Sequence, residues 1–165
     1  MFTPSNETVM AIGRLVLASA EYEAALASAV SRVVGKAATV LVVGIPVSQQ
    51  EQALKVLTER ERPEAVEDLA AILRVAKELG QDRAHVVHGF WMFDVHVADE
   101  QVPSDIALRP KRWTSDLRGK RFPVEKLVEV TRKFGEIQRQ LDAWSAAHWP
   151  QEQVVRAPGH GSQTV

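Results

Sequence analysis

Residues 81–91 read QDRAHVVHGFW, the end of an amphipathic helix, a glycine, and the start of an aromatic, strand-like run. Upstream of it, apolar residues recur at steps of three and four through Leu69, Ile72, Leu73, Ala76 and Leu79. The same stepping places Arg83 on the inward face, with Val86 and Val87 continuing it. A guanidinium on such a face is costly unless a carboxylate pairs with it or a cleft receives it. His88 follows five positions later, about 140° around an ideal helix from Arg83. The two side chains converge only if the last turn loosens and the long arginine reaches around. Gly89 reads as the left-handed residue that ends the helix. The negative end of the helix dipole favours a protonated His88, and a nearby Arg83 opposes it. The plain alternatives are a structural arginine paired with a carboxylate and a histidine that caps a solvated helix end.

The partner for Arg83 is sought in the first helix. From Asn6 to Val34 the apolar positions Val9, Ile12, Val16, Leu26, Val30 and Val33 form a stripe that Gly35 stops. Ser19 and Glu23 fall on the same stripe, so Glu23 is predicted to face Arg83; its alternative is to bend into solvent at the stripe's edge. Residues 37–43 suit a buried strand by β-branching and a short helix by length, and helical neighbours favour the helix, ended by Gly44 and Pro46. Ser48 with Glu51 spells a capping box for a helix over about 49–60, with Ala53, Leu54 and Leu57 inward. Pro63 suits the first position of the helix that runs to His88.

Beyond Gly89 the pattern changes period. Phe90, Trp91, Met92, Phe93, Val95 and Val97 signal a strand, residues 98–104 hold turn chemistry, and 106–108 suit the returning strand of a hairpin. The aromatic cluster is read as a cover for one end of the helical core, in preference to a base-stacking platform. Pro123 opens a last helix with Val124, Leu127, Thr131, Phe134, Ile137, Leu141 and Trp144 on one face. The predicted fold is mainly α, a helical bundle with a small β-hairpin before the C-terminal helix. Residues 1–149 form one domain and 150–165 a flexible tail.

Composition narrows the function classes. The 165 residues carry a net charge of −1, so nucleic acid would have to bind a local patch and not the whole surface. Absence of cysteine removes disulfides and thiolate chemistry. Glu7, Arg14 and Glu21 interrupt the first apolar stretch, unlike a signal peptide, and the longest apolar run is far short of a bilayer span. A soluble, cytoplasmic protein without membrane contact is expected. No glycine-rich phosphate loop or nucleophile elbow occurs, so no cofactor is implied. His85, His88 and His96 lack a suitably spaced carboxylate, so no metal is assigned.

The local basic patch is the segment RPKRWTSDLRGKRF, residues 109–122. Its six basic residues, Arg109, Lys111, Arg112, Arg118, Lys120 and Arg121, stand against one acid and carry Trp113. Cationic groups bind phosphates and an indole stacks on bases, which makes this the candidate RNA-binding segment if it folds beside His88. A solvated basic loop is the alternative.

The string Arg83, four residues, His88, then Gly89 and Trp91 is similar to the Arg-x4-6-His motif of HEPN-like helical domains (higher eukaryotes and prokaryotes nucleotide-binding). It looks most like the small bacterial versions that close this helix in an RNxxxHGxW-like string, and the likeness extends over about residues 6–148. The resemblance implies a two-fold homodimer with motif helices bordering one cleft, acting as an RNA-binding module or metal-independent endoribonuclease. His88 would then serve as general acid or base at the ribose 2′-hydroxyl or leaving oxygen, and Arg83 would stabilise the phosphorane-like transition state. Glu23, His85 and Trp91 would support them. The family places a polar residue, often asparagine, directly after the arginine, where this chain has Ala84. Ala84 favours the competing expectation, a catalytically silent helical homodimer that serves as a protein-interaction or regulatory module.

Overall fold

The computed structural model describes residues 5–35, 44–92, 96–97, 100–101, 106–110 and 117–150. Among the described residues four α-helices carry the fold: α1 (Asn6–Val34), α2 (Val47–Glu61), α3 (Val66–His88) and α4 (Val124–His148). The mainly helical class therefore holds. Ser5 caps α1 by accepting the Thr8 amide at 3.1 Å. Glu7 and Arg32 lie at the dipole ends that suit them, and Gly35, at φ 81°, stops the helix in a conformation costly for other residues.

The buried face of α1 keeps Ser19, Leu26 and Val30 of the predicted stripe, leaves Ile12 and Val33 half-buried, and is otherwise turned away from it. Ala11, Leu15, Ala18, Tyr22, Leu26 and Ala29 point inward, while Val9 and Val16 are exposed. The physical reason is that α1 has apolar residues on two faces, so periodicity alone leaves its rotation undetermined. Tertiary packing selects the alanine-rich face, whose short side chains let α1 lie close to α4, the most extensive helix pair in the molecule.

The start of α2 also differs. Its N-cap is Pro46, whose carbonyl accepts the Gln49 and Gln50 amides, and the Ser48–Glu51 capping box does not form because both residues lie inside the helix. Leu54 and Thr58 are buried; Ala53 and Leu57 are half-buried. Pro63–Ala65 is a 3-10 turn, after which α3 begins. Leu69, Ile72, Ala76, Leu79 and Val86 of α3 are buried as predicted, Leu73 is half-buried, and Val87 is exposed.

Gly89 is not left-handed. At φ −83°, ψ 155° it is extended, and its amide closes α3 on the His85 carbonyl at 2.9 Å. The chain continues directly into a strand, so no reversal is needed there. On α4, Leu127, Val130, Phe134, Ile137, Leu141 and Trp144 are buried, with Val124 and Thr131 at the rim. The Trp144 indole N–H donates to the Ala65 carbonyl at 3.1 Å, tying α4 to the 3-10 turn.

The single hairpin expected before the last helix is not what the described backbone makes. Strand β1 (Phe90–Met92) pairs with β4 (Ile106–Pro110), which pairs with β5 (Leu117–Arg121), all antiparallel; β2 (His96–Val97) and β3 (Glu100–Gln101) form a separate short pair. Part of the basic segment read as a loop thus runs as β5, where it satisfies the second edge of β4. The short helix expected over 37–43 and, apart from residue 150, the tail expected over 150–165 lie outside the described residues. No helix among the described residues is long and apolar enough to cross a membrane.

Candidate functional site

Residues of all four helices line an open cleft of about 260 Å³. Its position follows from α3, where Ala76, Gly80 and Arg83 fall on one face at steps of four and three. The two small residues leave room beside the arginine, and an added Cβ at Gly80 would meet nothing within 4 Å. From α1 come Ser19, Tyr22 and Glu23; from α2, Val47, Ser48 and Glu51; and from α4, Phe134.

Polar chemistry in the cleft centres on Tyr22 and Glu51. The buried Tyr22 hydroxyl donates to Glu51 Oε1 at 3.1 Å. Burial, with the neighbouring Glu51 charge adding to it, pushes the Tyr22 phenol far above its ordinary range, so it remains a donor. Burial also raises the Glu51 carboxyl above its usual value, against the opposing pull of the Tyr22 hydrogen bond and the Lys77 charge. The Tyr22 ring packs on Phe134 with centroids 6.1 Å apart, which fixes the hydroxyl's direction.

Arg83 is half-buried, and its Nε is shielded from solvent without a hydrogen-bond partner among the described residues. Glu23 shares the cleft with it, yet among the described residues no ion pair joins the two. The predicted pairing is therefore a common location and not a direct contact. Glu23, Glu51 and Lys77 line the same cleft as Arg83, so groups of both charge signs meet there.

His88 stands apart from this arrangement. It is exposed at the last residue of α3 and is not among the lining residues. His85, by contrast, has a packing role: its Nδ1 lies 2.9 Å from the Gln81 carbonyl oxygen and its ring 6.3 Å from that of Phe122. Trp91 donates its indole N–H to the Val86 carbonyl at 2.9 Å and packs its ring 6.3 Å from Phe122. Together they fix the exit of α3.

Of the basic segment, Arg109 lies opposite Arg118 and Lys120 opposite Ala107 in the β4–β5 ladder, and Arg121 is exposed. Lys111, Arg112 and Trp113 lie outside the described residues. No group of three or more His, Asp or Glu side chains able to hold a metal occurs among the described residues. A broader groove of about 600 Å³ between α3 and α4 is lined by Glu78, Asp82, Lys126 and Lys133, whose opposite charges give it no single-sign field.

The structure brings Glu23 and Arg83 to one cleft and leaves His88 outside it. Tyr22, Glu51 and Lys77 are the cleft residues that sequence reasoning missed. Tyr22 carried a signal: a phenol among the inward alanines of a helix needs a hydrogen-bond partner when buried. Glu51 carried a competing one, since its spacing from Ser48 spells a cap. No family model matches the chain, and no similar characterised protein or solved structure was found.

Proposed function

We propose that this protein is a catalytically silent helical interaction module, in which Arg83 organises the cleft between the helices and His88 ends α3 in solvent. One observation carries this reading. Arg83 lines the cleft with Tyr22, Glu23 and Glu51, and His88 does not. A general acid or base and the cation that stabilises its transition state act on the same phosphate, so they must reach one spot. Within one protomer these two side chains have different surroundings. Ala84, in place of the family's polar residue, supports the same conclusion.

The test is incubation with single-stranded RNA in the presence of a chelator. Intact RNA is the expected result, while Arg83→Ala, which removes the packing of a half-buried side chain without breaking an ion pair, destabilises by about 0.5–1.5 kcal/mol in thermal melts. His88→Ala stays within about 0.5 kcal/mol of the parent, as exposed positions do. Metal-independent cleavage lost in both variants would restore the nuclease implied by the HEPN-like resemblance.

A second reading, RNA binding without cleavage, has one observation in its favour. The β1–β4 register sets Leu108 opposite Phe90, so the basic segment from Arg109 onward starts beside the end of α3 that carries His88. Phosphate contacts there would give salt-sensitive RNA binding that weakens in an Arg109→Ala, Arg118→Ala double variant.

A further inference from the structure

The outward face of α1 carries four of the exposed large apolar side chains, Val9, Met10, Val16 and Leu17, with Met10 57% and Leu17 66% exposed. Gly13, Ala20 and Ala24 are also exposed and lie between and beyond them. On a helical projection these residues cover roughly a third of the helix circumference, opposite the face that packs on α4 and α2. No charged residue falls within that sector. An apolar sector of that width on an outward helix face marks a contact surface.

Charge at the border of the sector identifies what covers it. Arg14 and Glu21 are both exposed, lie on the same edge seven residues apart, and have no ion-pair partner among the described residues. If a second α1 ran parallel in register, the edge carrying Arg14 and Glu21 would face the other copy's opposite edge, where Val16 and Glu23 lie and no cation answers Glu21. If it runs antiparallel about a two-fold axis beside Leu17, each Arg14 meets the other copy's Glu21, and both pairs form at once. Leu17 then packs against the other copy's Leu17, with Gly13 and Ala20 giving the space for close approach.

We infer that the outer face of α1 is the seat of a second copy of this chain, packed antiparallel about a two-fold axis with reciprocal Arg14–Glu21 contacts. The inference deepens the interaction-module reading by naming its partner. It places the dimer seam on α1, away from the motif helix α3.

The test is the mass of the full chain in solution by size exclusion with light scattering, together with sedimentation-derived dissociation constants. The parent chain is a dimer at about 50 µM, a concentration typical of weak to moderate self-association. Leu17→Glu is a monomer of unchanged helical content. Arg14→Glu weakens the dimer about tenfold, and the swap Arg14→Glu with Glu21→Arg restores it, since the reciprocal pairs re-form with signs exchanged. A monomeric parent, as would result if another segment of the chain covered this face, overturns the inference. So does a dimer indifferent to Leu17→Glu, or a swap that fails to restore association. RNA cleavage by the parent would remove the silent reading and leave this interface standing, whereas a monomeric parent removes the interface alone.

Discussion

At the residue scale, the cleft turns on how a half-buried carboxyl is held. Burial raises the Glu51 pKa above its ordinary 4.5, so the protonated form is the one the fold favours. The sign follows: the contribution of Glu51 to stability is fully present below pH 4.5 and is lost as pH rises through the folded-state value. Glu51→Gln keeps an oxygen to accept the Tyr22 hydroxyl and carries no charge. It is expected to melt above the parent at pH 7 and level with it near pH 4. A lower melting temperature at pH 7 would show that the cleft needs the negative charge, as a counter-ion for Arg83 or Lys77. Arg83 itself was legible from the sequence, because a 3.6-residue period puts a charge on an inward face without reference to any other element. Its surroundings were not, since Tyr22 and Glu51 come from helices whose rotation and start the local pattern misplaces.

The helices show where local rules suffice and where they fail. α4 follows its sequence closely: a proline before its first turn, helix-favouring Leu, Glu, Lys, Arg and Gln, and an inward stripe ending in Trp144. Its surface is laced by Glu129, which accepts from Lys133 at 2.7 Å and Lys126 at 2.9 Å, and by a neighbouring Arg132–Glu136 pair. Hydrogen bonds from Lys133 and Lys126 lower the Glu129 pKa from 4.5 to about 2. Such a depressed group adds stability above pH 4.5 that is lost as pH falls toward 2. The advantage of the parent over Glu129→Gln in thermal melts is therefore expected to be present at pH 6 and mostly lost by pH 2, small throughout because solvent screens these exposed charges. An advantage that persists at pH 2 would assign it to packing instead. α1 and α2 depart from local rules, one because it has apolar residues on two faces, the other because the Pro46 carbonyl starts the helix ahead of Ser48.

For the molecule as a whole, a long-range bond secures the bundle. Trp144 reaches from α4 to the Ala65 carbonyl at the head of α3, across 79 residues of sequence. Trp144→Phe keeps most of the apolar volume and removes one of two hydrogen bonds to that carbonyl, which as the N-cap of α3 also accepts from the helix's first turn. It is expected to cost about 0.5–1.5 kcal/mol in denaturant unfolding with little change in the slope; no measurable loss would show that water replaces the indole. What the sequence determined by itself was the helical class, the extent of α1, the end of α3 at His88 and the start of α4 after Pro123, because caps, prolines, glycines and hydrophobic period act within one or two turns of chain. The inward face of α1, the gathering of Tyr22, Glu23, Glu51 and Arg83 around one cleft, and the separation of His88 from it were decided only by the tertiary structure. Each depends on the relative rotation of helices distant in sequence, which is set by how their side chains pack against one another.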